Sequence, residues 1–84
     1  ISWSRVLGKE YERLRRASRE GKKSLLDEYG ATEPAEFFAV ATECFFERSV
    51  EMREEHPRLY RILSQYYRQD PAARRPANGM DPAA

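Results

Sequence analysis

One cysteine and one histidine are all that these 84 residues hold of the two commonest zinc-binding side chains. The single cysteine, Cys44, excludes an internal disulfide and fits a reducing compartment. The single histidine, His56, has no companion at metal-ligand spacing, so the chain cannot complete a zinc site of three protein ligands by itself. No apolar run approaches the length of a membrane span and no leader pattern opens the chain, so a cytoplasmic protein without membrane contact is expected. Nor is there an excess of either charge. The net charge is +1 with 35% charged residues, which argues against direct binding to nucleic acid. The first residue is Ile1 rather than Met. That start fits either a piece of a longer protein or a detail of processing.

What is there reads as helix. Trp3, Val6, Leu7, Tyr11, Leu14 and Ala17 recur at spacings of three and four, the stripe of an amphipathic helix over about 4–19. Ser2 or Ser4 can cap its start, and Gly21 lies just past its end. Lys9, Glu10, Arg13, Arg16 and Arg19 form the opposite, charged face, read as solvated. "KSLLDEYG" is short enough for an extended segment or an edge strand, and Gly30 marks a turn through its access to positive φ.

A second helix is expected over about 33–48, capped by Thr32, with Pro34 in its first turn. Its apolar residues (Phe37, Phe38, Val40, Ala41, Cys44, Phe45 and Phe46) surround the axis, so it belongs at the centre of the domain. Ser49 opens a short helix over 50–55. His56, read as a cap residue, and Pro57 then lead into a last helix over 57–68, with Leu59, Ile62, Leu63 and Tyr66 as its stripe. The expected fold class is all-α: three to four helices in a small bundle around a buried aromatic helix, spanning 1–70. The Pro- and Ala-rich stretch 71–84 is read as a flexible tail.

The unusual feature is "YGATEPAEFFAVATECFF", residues 29–46, in which Glu36 and Glu43 interrupt an apolar run. Seven residues apart, they share a helix face about 10 Å apart along the axis, too far to hold one proton or one metal ion together. A carboxylate in such a setting needs compensation. Three readings stay open: pairing with arginines or solvent, general acid–base work, and ligation of a metal by one with the other in support.

The stretch "YGATEPAEFFAVATECFFERS" followed by "HPRLYRILSQYYRQDPAAR" resembles the C-terminal part of the Mlc titration factor A family of zinc metallopeptidases. The shorter run from Tyr29 to Ala39 also looks like the corresponding stretch of the anthrax lethal factor protease domain. The family resemblance covers about residues 3–75. It implies that Glu36 is the third zinc ligand, beside two histidines and a general base from a His-Glu-x-x-His helix. It also implies that Tyr29 points into the same site to stabilise an oxyanion, and that Glu43 supports a ligand from outside the metal's own shell. His-Glu-x-x-His is absent from these residues, so zinc and peptide hydrolysis require ligands from outside this chain.

The resemblance further implies an Mlc-type transcriptional repressor as a partner besides a peptide substrate, with Tyr60, Tyr66 and Tyr67 as anchors for docking. Self-association through Phe37, Phe38, Phe45 and Phe46 is the third expectation, if these normally pack on a part of the domain that is absent.

Overall fold

The computed structural model describes residues 3–74, and these form four α-helices, two short 3-10 turns and no strand. Helix α1 is Trp3–Arg19, α2 is Pro34–Glu47, α3 is Ser49–Glu55 and α4 is Pro57–Tyr67. The 3-10 turns are Glu28–Ala31 and Pro71–Arg74. The all-α reading holds. "KSLLDEYG" is not a strand: Leu26 drops into the core, and Glu28–Ala31 closes into a 3-10 turn. No helix among the described residues is long and apolar enough to cross a membrane.

Helix α1 stops where its glycine permits. Gly21 takes φ +67°, the amide of Lys22 donates to the Ala17 carbonyl at 2.8 Å and that of Gly21 to Ser18 at 3.2 Å. These two bonds satisfy carbonyls that the helix end leaves free. The helices α2, α3 and α4 follow one another with a single residue at each corner: Arg48 ends α2 and begins α3, and His56 ends α3 and begins α4. Ser49 is thus the first residue inside α3 rather than its cap, and its buried hydroxyl finds no partner among the described residues.

Phe45 of α2 is fully buried, and its ring meets Phe46 at 4.9 Å, Tyr60 at 5.2 Å and Tyr67 at 5.8 Å. Met52, Leu59 and Leu63 close the core around it. Burying one such ring contributes about 1.5–3 kcal/mol, and well-placed ring pairs add about 0.5–1.5 kcal/mol. Trp3, at the start of α1, meets Tyr66 at the end of α4, while Glu10 bonds to His56 at the start of α4; α1 and α4 therefore run antiparallel.

The central helix is covered on one side only. Phe37, Ala41, Cys44 and Phe45 are buried, Phe38 and Phe46 are half-buried, and Ala35, Ala39 and Glu43 face solvent. The four phenylalanines therefore do not form one exposed patch. Packing also runs past residue 70, where the tail was expected to begin. Pro71 and Ala72 are buried, and the Tyr60 hydroxyl accepts from the Ala72 amide at 3.0 Å and bonds Asp70. The remainder of that expected tail, 75–84, lies outside the described residues.

Candidate metal-site half

The site residues sit on the Glu28–Ala31 turn and on α2. The turn packs against both α1 and α2, and its fit depends on Gly30. A Cβ added there would lie 2.4 Å from Val40 Cγ2, 3.1 Å from Leu14 Cδ2 and 3.3 Å from Phe37 Cα. The φ of Gly30 is not positive, so the glycine is required by this close approach and not by turn geometry. Val40 lies one helical turn beyond Glu36, and Phe37 is its neighbour in sequence. Tyr29 and Glu36 thus belong to one packed unit.

Tyr29 is held by its backbone. Its amide donates to Asp27 Oδ1 at 2.9 Å, and its carbonyl accepts from the Thr32 hydroxyl at 2.8 Å and the Thr32 amide at 3.2 Å. Thr32 therefore closes this turn and does not cap α2. The cap position of α2 falls to Glu33, in extended conformation and without a side-chain bond, with Pro34 as the first helical residue. The Tyr29 side chain is 57% exposed.

Glu36 lies in the first turn of α2 and is half-buried. Its carboxylate makes no hydrogen bond or ion pair with another described residue. Of the readings left open for Glu36, pairing with an arginine is not seen among the described residues, and the half-buried carboxylate reaches solvent. Glu43, one turn past Val40, is exposed. No group of three or more His, Cys, Asp or Glu residues among the described residues is arranged to hold a metal ion. A single carboxylate does not hold zinc on its own. The described residues therefore do not assemble a metal site by themselves.

A second polar cluster went unread in the sequence. Glu10 is buried, and its Oε2 lies 3.0 Å from His56 Nδ1; its Oε1 accepts from Arg13 at 3.1 Å. Burial alone would raise the Glu10 carboxyl. The hydrogen bond and charge of His56, with those of Arg13, outweigh burial and hold it below the usual carboxylate range. Glu10 stands three residues after Leu7 and four before Leu14, on the apolar stripe itself rather than on the charged face. That spacing was the available signal. His56 keeps its place at the corner between helices, but its ring serves Glu10 rather than a helix end.

Cys44 is a core residue, as expected. Burial pushes its thiol up to about 11, partly offset by Arg48, with Glu51, Glu55 and Glu43 adding to the rise. Of the three candidate docking tyrosines, Tyr60 is buried, Tyr67 half-buried and Tyr66 57% exposed.

Comparison with known proteins gives the family of the chain. Residues 1–68 match the family described as glucose-regulated metallo-peptidase M90. An uncharacterized protein of Synechocystis is 41% identical over 69 residues, covering 82% of this chain and 25% of that protein. Mlc titration factor A of Klebsiella pneumoniae is 46% identical over 55 residues, 66% of this chain and 21% of the relative. That of Edwardsiella ictaluri is 36% identical over 81 residues, 94% of this chain and 31% of the relative. The chain thus spans about a quarter of the length of these relatives. No solved structure matches significantly. The chain belongs to the glucose-regulated metallo-peptidase M90 family.

Proposed function

We propose that this chain is the part of a zinc-dependent peptidase that contributes Glu36 as one metal ligand and the Tyr29 phenol as a hydrogen-bond donor. The observation that carries this reading is the Glu36 carboxylate, half-buried at the head of an apolar helix and without a partner among the described residues. A cation supplied from outside would give it the compensation that the described residues do not supply. The two histidines and the general base of a His-Glu-x-x-His helix come from outside these residues. When bound, zinc supplies a Lewis acid and lowers the pKa of its water. Within this chain, Tyr29 presents an O–H that can donate to the oxygen of a peptide carbonyl as charge develops there. Glu43, 10 Å along the helix by the rise of about 1.5 Å per residue, supports a neighbouring ligand rather than the metal.

The test is made on the full gene product. A His-Glu-x-x-His segment in its reading frame is required, and its absence ends this reading. With it present, Glu36→Gln is expected to weaken zinc binding by more than the roughly 100-fold that loss of an outer partner costs. Glu43→Gln should weaken it by about 10–100-fold. Zinc affinity unchanged in Glu36→Gln refutes the assignment.

A second reading is capture of an Mlc-type repressor, which the names of the matched relatives suggest. The favouring observation is Tyr66, exposed beside Trp3 at 5.2 Å and Phe38 at 5.9 Å. Exposed aromatic residues are common anchors of protein interfaces. Retention of the repressor by wild-type protein and its loss in Tyr66→Ala support this; equal retention by both excludes Tyr66 as the anchor.

A further inference from the structure

The Glu28–Ala31 turn spends two side chains on the backbone of one residue. Asp27 accepts the Tyr29 amide at 2.9 Å, and Thr32 donates its hydroxyl to the Tyr29 carbonyl at 2.8 Å. Both bonds are exposed to solvent, where a hydrogen bond adds little to global stability. A four-residue 3-10 turn is also marginal by itself. The third anchor is Gly30, pressed against Val40, Leu14 and Phe37. Between these anchors stands Tyr29, a residue that is 57% exposed. Gly30 ties the turn to the core, whereas the two exposed side-chain bonds at Tyr29 bury nothing. What the two bonds do is fix the direction in which the Cα–Cβ bond of Tyr29 leaves the turn.

We infer that Asp27 and Thr32 are positioning residues that pre-set the Tyr29 side chain for the role proposed above, on which this inference rests. They touch neither substrate nor metal. Their contribution is to remove backbone freedom from Tyr29 before substrate arrives, so that the phenol keeps one approach to the reacting carbonyl. The conservative variants divide the two explanations. Thr32→Ser keeps the hydroxyl and Thr32→Val removes it at nearly constant shape. Asp27→Asn keeps the accepting Oδ1 and Asp27→Ala removes it.

Two measurements on the 84-residue chain decide it. Amide hydrogen exchange is followed at Tyr29 and Thr32, and the Tyr29 ring is observed by 19F NMR after 3-fluorotyrosine labelling, with Tyr29→Phe assigning its signal. Thr32→Val and Asp27→Ala should each speed exchange in the turn by about five- to tenfold, the factor that one net hydrogen bond represents. The Tyr29 ring signal should sharpen toward that of a free side chain, and the melting temperature should stay close to wild type. Thr32→Ser and Asp27→Asn should restore the wild-type values.

The inference is overturned if exchange and ring signal do not change in Thr32→Val and Asp27→Ala. It is also overturned if the faster exchange spreads over all four helices with a fallen melting temperature, the mark of a purely structural role. In a zinc-loaded full-length protein the same two variants should lower kcat about tenfold with KM nearly unchanged. If Tyr29→Phe leaves cleavage intact there, the catalytic reading of Tyr29 fails and this inference with it, while the NMR result still shows whether the clamp exists.

Discussion

Replacing Gly30 with alanine should be far more damaging than its ordinary backbone angle implies. The added Cβ would stand 2.4 Å from Val40 Cγ2, about 1 Å inside ordinary contact. Leu14 Cδ2, at 3.1 Å, is the end of a flexible side chain and can move; Phe37 Cα, at 3.3 Å, is backbone and cannot. Val40 is β-branched on a helix, with one strongly preferred rotamer, so it does not swing aside cheaply. The turn must then lift from α2. Overpacking of this kind costs about 1–3 kcal/mol, and the stiff unfolded chain that alanine brings returns about 0.4–1 kcal/mol.

A net loss of about 1–2 kcal/mol remains, or a fall of roughly 4–16 °C in melting temperature for a domain of this size. Thermal unfolding followed by circular dichroism reads it directly. The control is the double variant Gly30→Ala with Val40→Ala, which removes the clashing methyl. Its loss should be smaller than the two single losses together by about 1 kcal/mol or more. A Gly30→Ala protein as stable as wild type, or strictly additive losses in the pair, refutes the close-approach argument.

Breaking the buried Glu10–His56 pair should cost more than any exposed ion pair of α1. Glu10→Ala leaves the His56 ring without its partner and is expected to destabilise by about 1–3 kcal/mol, read by urea unfolding, whereas Glu12→Ala at the surface should cost under about 1 kcal/mol. The same pair sets an acid limit. The Glu10 carboxyl is held below its ordinary value of 4.5, so its contribution is full above that pH and is lost as pH falls through the lower, folded value. Glu10→Gln should flatten that part of the stability-against-pH curve. Cys44, buried with its thiol raised to about 11, should resist alkylation at pH 8 in the folded chain and react on unfolding in urea. Tyr60→Phe removes the bonds to Asp70 and Ala72 and should speed amide exchange in 70–74 without altering α1, which two-dimensional NMR distinguishes.

The helices were legible because their signals are local. Spacing of apolar residues, a glycine after α1 and prolines at the first positions of α2 and α4 each act within a few residues. Thr32 misleads for the same reason: a threonine before Glu-Pro reads as a helix cap, but its hydroxyl donates to the Tyr29 carbonyl and the cap position of α2 falls one residue later, on Glu33. Gly30 was recognised as a turn residue for the wrong cause, since its neighbour Val40 lies ten residues on and only packing brings them together. Glu10 shows the same blindness over 46 residues, the distance to His56 along the chain. The spacing of Tyr29, Glu36 and Glu43 is readable in the sequence. The partial exposure of Glu36 is not, because it depends on which side of α2 the chain itself covers.

The one-residue corners at Arg48 and His56 have a consequence for the evolution of the sequence. From Pro34 to Tyr67 no slack exists in which a length change could be absorbed. One inserted residue would turn every later side chain by about 100°, carrying Leu59 and Leu63 out of register with Phe45. Insertions and deletions in natural variants should therefore collect around Lys23, exposed between the end of α1 and the core residue Leu26, and a fluorophore or epitope placed there should leave the rest of the chain undisturbed.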